Sequence, residues 1–84
     1  MREPIEIKVY WDESDPHAIG YAFKVYHNDG HEESGPVEDE GSLDELVVDV
    51  AYSHGLEIGT GDVAVDRQDD CAIWTHPAAA NTGG

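Results

Sequence analysis

Residues 4–11, PIEIKVYW, alternate between apolar and polar positions. Ile5, Ile7, Val9 and Trp11 fall on one side of an extended chain, and Glu6, Lys8 and Tyr10 on the other. Strict period-two alternation predicts a half-buried strand. Residues 12–20, DESDPHAIG, then interrupt the pattern with Asp, Ser, Pro and Gly, each of which favours turn geometry. The alternation resumes in YAFKVYH at 21–27, with Tyr21, Phe23 and Val25 inward and Ala22, Lys24 and Tyr26 outward. These two runs are expected to pair as an antiparallel hairpin.

Asn28-Asp29-Gly30 follows, and Asp-Gly supplies the positive φ that tight hairpin loops require. Residues 31–38 leave room for a third strand, which Gly35 and Pro36 restrict to a sheet edge. From 42 to 55 the period changes to that of a helix: Leu43, Leu46, Val47, Val50, Ala51 and His54 share one face, and Ser42 with Glu45 reads as a capping box. Gly55 ends the helix, and Leu56 sits where an apolar residue closes a glycine C-cap. After a Gly-rich connection, DVAVD and CAIWTH read as two short strands joined by the turn RQDD, with Val63, Val65, Ile73 and Trp74 as core candidates. The expected fold is α+β, an antiparallel sheet of four to five strands in ββ(β)αββ order with one helix packed on one face. Residues 4–76 form the single domain, and PAAANTGG at 77–84 is expected to be a disordered tail.

Gly20-Tyr21 opening a strand, a turn-rich spacer, and GSLDEL at 41–46 leading into the helix distantly resemble the hairpin-to-helix segment of HicB-like antitoxin domains, over residues 5–55. That resemblance implies a small αβ domain that binds and neutralises a partner protein.

Charge changes the picture of the environment. The chain has 84 residues, with 19 acidic against 4 basic side chains and a formal charge of −15, where a magnitude of roughly 2 to 8 is usual for a small domain. The acids are interleaved with apolar pattern (39 % hydrophobic), which argues for a folded, highly charged chain. Self-repulsion on this scale is tolerable in molar salt, where the Debye length falls to about 3 Å. The composition resembles that of haloarchaeal cytoplasmic proteins, so a cytoplasmic, salt-dependent protein is expected. A domain this short buries only roughly 60 % of its unfolded surface, which makes homodimerisation an expectation from size.

Composition also excludes functions. No apolar run follows Met1-Arg2-Glu3-Pro4 and no stretch approaches the ~20 apolar residues of a membrane span, so neither a signal peptide nor a membrane anchor is expected. Binding of nucleic acid through a broad basic face needs more Lys and Arg than the chain has. A single cysteine, Cys71, allows no internal disulfide and no cysteine-based zinc cluster.

Candidate chemistry is sparse. His27 and His31 flank the Asn28-Asp29-Gly30 turn, about 5 Å apart if the loop has three residues. With Glu32 or Asp29 they form a possible zinc-binding set, the alternative being solvated turn flanks. DESDPH at 12–17 lacks the glycine that a calcium loop needs at its sixth position, where His17 stands. Cys71 lies in a negative field that disfavours a reactive thiolate, and reads as a small buried residue at a strand start. Asp69 and Asp70 read as a charged turn, and Gly59-Thr60-Gly61 as a connection.

The repeated Lys-Val-Tyr at 8–10 and 24–26 places both lysines and two of the four tyrosines on the outer sheet face. Lys8, Tyr10, Lys24 and Tyr26 therefore form a candidate interaction surface. The leading expectation is a non-catalytic module without cofactor, binding another protein or a second copy of itself through this face. Alternatives are an acidic, antitoxin-like partner of a basic protein using the carboxylates at 29–45, and a small metal-dependent enzyme built on His27 and His31.

Overall fold

The structure, a computed structural model, describes residues 3–14, 16–17, 19–66 and 70–77. Two long strands, β1 (Pro4–Asp12) and β2 (Gly20–His27), form the expected hairpin, with Val9 opposite Phe23 and Ile7 opposite Val25. A short β3 (Glu32–Pro36) pairs with β2 and occupies an edge. After helix α1 (Leu43–Ser53) and one 3₁₀ turn at Thr60–Asp62 come β4 (Ala64–Asp66) and β5 (Cys71–Thr75). The sheet is antiparallel, five-stranded and ordered β3-β2-β1-β5-β4, so the chain is α+β with one helix packed on one face. β5 returns beside β1 and puts the first strand at the centre.

The core lies between α1 and the inner sheet face. Ile7, Val9, Val25, Ala72 and Trp74 project from the strands onto Leu46, Val47, Val50 and Ala51 of the helix. Pairing of Ile7 with Trp74 and of Lys8 with Ile73 fixes the register of β5. That register corrects one expected core position. Adjacent strand residues point to opposite faces, so with Trp74 in the core Ile73 faces outward, and fully buried Ala72 faces the helix in its place. Val63 packs against the core, whereas Val65 on the outermost strand is 42 % exposed. Trp11 is likewise inward by alternation but 40 % exposed, set edge-to-face against Tyr21 and donating from its indole to Glu13.

Both helix ends fall where expected, by different means. At the C-terminus Leu56 N–H bonds Ala51 O and Gly55 N–H bonds Tyr52 O, with Gly55 at φ +83°, the 6→1 and 5→2 pattern of a Schellman cap. At the N-terminus Ser42 is the cap residue, but its side chain makes no bond to the helix backbone. The Asp44 carboxylate instead accepts from Ser42 Oγ–H and from the Glu45 N–H at 3.0 Å, so the expected Ser42–Glu45 box does not form. All of the expected tail at 77–84 except Pro77, residues 67–69 of the RQDD turn, and Asp15 and Ala18 of the 12–20 loop lie outside the described residues. No helix among the described residues is long and apolar enough to cross a membrane.

Candidate functional site

The β2–β3 turn brings His27 and His31 together. His27 N–H bonds His31 O at 2.8 Å, Gly30 N–H bonds His27 O at 3.1 Å, and Asp29 Oδ1 accepts from His31 N–H at 2.9 Å. Gly30 sits at φ +89°, where a side chain is strained. The loop therefore has three residues, with its left-handed residue last. The imidazole centroids are 5.3 Å apart.

Strand alternation selects the third member. β3 pairs Glu32 with Tyr26 and Glu33 with Val25. Val25 is a core residue, so Glu33 lies on the helix side of the sheet with the histidines. Glu32, the carboxylate first assigned to the pair, lies on the outer face 4.0 Å from Lys24 Nζ. Ligand atoms of His27, His31 and Glu33 all fall within 4.8 Å of one another.

A fourth member comes from the end of α1. His54, the C-cap residue, is the last position of the helix's apolar stripe and comes down on β3 with Nε2 2.9 Å from Glu33 Oε2. Its Nδ1 lies 2.9 Å from Val50 O. Phe23 packs edge-to-face on His54 from below, and Phe23 in turn lies over Gly35, where a Cβ would come within 3.2 Å of the ring. The signal for His54 was in the sequence, as a titratable residue ending an apolar stripe. Only tertiary packing tells that the stripe ends over β3.

The electrostatics follow from these contacts. The hydrogen bond from His54 holds the Glu33 carboxyl below the usual range, opposed by partial desolvation and helped by His31, whose Nε2 is 3.4 Å from Glu33 Oε1. Each nitrogen of His54 faces an acceptor, and a carbonyl oxygen can only accept. The ring thus spans from Val50 O on the helix to the Glu33 carboxylate on β3. In the 12–17 loop the Asp12 carboxyl is held below the usual range by a local cause: it accepts from Ser14 Oγ at 2.6 Å and from Ser14 N–H at 2.9 Å, which is turn chemistry. Cys71 is buried at the start of β5.

The outer face is a second candidate site. Cross-strand pairing lays its side chains in rows, with Glu32, Tyr26, Glu6 and Thr75 in one and Ser34, Lys24, Lys8 and Ile73 in the next. A third row carries Pro36, Ala22, Tyr10 and Cys71. Lys8, Tyr10, Lys24 and Tyr26 thus share one face, and no element among the described residues covers it. Lys8 Nζ lies 5.6 Å from the Tyr10 ring centroid, and a shallow groove of about 330 Å³ runs between Tyr10, Ala22 and Pro36. Compared with protein-family models, with curated proteins and with solved structures, the chain matches none.

Proposed function

We propose that this chain is a small non-catalytic interaction module, adapted to high salt, that self-associates through its open sheet face. The observation that carries the reading is the charge pattern of that face. The chain as a whole has a formal charge of −15, yet the first two rows hold Lys8 and Lys24 beside Glu6 and Glu32, a local balance. Two copies repel one another least here. Lys8 and Lys24 also stand directly opposite each other, an arrangement that is unfavourable within one chain and is relieved by anions from outside.

The rows are self-complementary. A two-fold axis lying between two such sheets, across the strands and midway between the rows, sets Lys8 against the partner's Glu6 and Lys24 against the partner's Tyr26. Closed two-fold contacts of this isologous kind are the commonest in homo-oligomers. Five strands about 4.8 Å apart and about five residues long give a face of roughly 400 Å² in projection, below the ~800 Å² per partner of a standard interface. The dimer is therefore expected to be concentration-dependent.

Sedimentation equilibrium in molar KCl tests this, with a monomer–dimer equilibrium expected and both Lys24→Glu and Tyr26→Asp shifting it to monomer. A monomer at every concentration overturns it. Salt screens the Lys8–Glu6 contacts but also the repulsion between two copies of formal charge −15, and the aromatic and apolar part of the contact persists, so dimerisation is expected to survive added KCl. The same salt series read by far-ultraviolet circular dichroism is expected to show loss of structure on dilution into low salt.

A further inference from the structure

We propose that His27, His31, Glu33 and His54 bind one divalent first-row transition ion, with zinc as the reference case, and that the ion ties the β2–β3 hairpin to the end of α1. Two segments distant in sequence supply the donors: residues 27–33, which carry both flanks of the hairpin turn and the inner face of the edge strand, and the helix C-cap His54, 21 residues from Glu33. Three imidazoles and one carboxylate suit borderline metals, whereas calcium and magnesium take oxygen sets.

Spacing fits. Tetrahedral zinc with bonds of about 2.0–2.1 Å holds its donors roughly 3.3 Å apart. His31 Nε2 and Glu33 Oε1 stand at 3.4 Å, while His54 Nε2 is 2.9 Å from the other carboxylate oxygen, Oε2, and its ring centroid is 6.2 Å from that of His27, so His54 reaches the His27–His31–Glu33 set through the Glu33 carboxylate and closes on the ion with it. The remaining contraction among His27, His31 and Glu33 falls on His31 and Glu33, whose side chains are 38 % and 43 % exposed and have room to turn.

Orientation is the stronger argument. His27 Nδ1 lies 3.1 Å from His31 O, and His54 Nδ1 lies 2.9 Å from Val50 O. Both acceptors are backbone carbonyls, so both Nδ1 atoms donate; His27 keeps Nε2 as its lone-pair nitrogen, and His54 directs Nε2 at the Glu33 carboxylate, where a metal ion would take the place of the hydrogen shared between them. Ligating histidines are held in this way, with the second nitrogen donating to a fixed acceptor. His27 is also only 6 % exposed, so one donor is set in the protein rather than waving in solvent. A solvated turn flank has no need of that burial. The chain's negative field raises the local concentration of any cation, so the discriminating property is dependence on these four residues.

The test is calorimetric titration of the whole chelator-stripped protein with zinc chloride in molar KCl at neutral pH. One equivalent per chain is expected, micromolar or tighter, undisturbed by equal magnesium or calcium. His54→Gln and Glu33→Gln are each expected to weaken binding at least about tenfold, while His17→Gln and Glu38→Gln leave it unchanged. Because variants at buried His27 can disturb folding, its part is read in the wild type. Zinc should move the ring ¹⁵N resonances of His27, His31 and His54 and spare those of His17 and His76. Absence of saturable binding, retained affinity in either His54→Gln or Glu33→Gln, displacement by magnesium, or shifts confined to His17 and His76 would each overturn the site.

Discussion

The two faces of one sheet are built from the same alternating strands and end in opposite conditions. On the inner face Ile7, Val9 and Val25 are completely buried beneath Leu46 and Val47, and at its edge the apolar contact gives way to the His27–His31–Glu33–His54 cluster. On the outer face, one residue along each strand, Lys8, Tyr10, Lys24 and Tyr26 stand half-buried under no helix. Alternation alone creates both surfaces. What separates them is where the single helix lands, and a chain this size has one helix to spend.

The contrast predicts a steep asymmetry in mutational cost. Leu46→Ala empties a fully buried site under the sheet and is expected to destabilise by about 2–5 kcal/mol. Tyr26→Ala, on the outer face of the neighbouring strand, is expected to change the stability of the monomer by less than about 1 kcal/mol. Chemical denaturation of dilute protein in molar KCl measures both. Equal losses would mean that the outer face is as much a core as the inner one, already closed by a partner at that concentration.

An intermediate effect is expected where the inner face meets the cluster. Gly35→Val places a side chain against the Phe23 ring, within 3.2–3.3 Å at the first carbon, and Phe23 supports His54. Overpacking of this kind costs about 1–3 kcal/mol. If the cluster depends on that support, Gly35→Val also weakens zinc binding without touching a ligand. A stability loss with unchanged zinc affinity would separate the packing from the site.

The His54–Glu33 hydrogen bond within the cluster carries a pH signature. Glu33 has its folded value lowered by the His54 hydrogen bond. A lowered carboxyl contributes stability that is present above its unfolded value of about 4.3 and is lost as pH falls through the folded value. The wild-type advantage over His54→Gln, measured by denaturation without metal, should therefore shrink as pH is taken below about 4.3. An advantage that persists at the lowest pH would assign it to packing of the ring on Phe23.

How much of this was legible in the sequence follows physical lines. The β1–β2 hairpin, the glycine-closed turn at Gly30 and the Schellman end at Gly55 are local devices, and local pattern finds them. The choice between Ile73 and Trp74 is not local: two neighbours in CAIWTH are both apolar, and only the register against Ile7 and Lys8 decides which faces the helix. The histidine–carboxylate cluster divides in the same way. His27 and His31 are visible from the turn they flank, whereas Glu33 replaces Glu32 through the edge-strand register, and His54 enters through helix packing 21 residues away from Glu33.

The smallest expected effect concerns the helix start, where the sequence motif and the geometry part. A Ser-x-x-Glu box would make Ser42→Ala cost about 1 kcal/mol. Here the Ser42 hydroxyl bonds the Asp44 carboxylate, and it is that carboxylate that takes an N–H of the first turn, at Glu45. Its negative charge also lies in the first turn, where the helix dipole favours it. Ser42→Ala is therefore expected to cost only a few tenths of a kcal/mol, and Asp44→Ala more, about 0.5–1 kcal/mol. The order of the two midpoints in a denaturation series decides it: a larger loss from Ser42→Ala would restore the box and make Asp44 incidental.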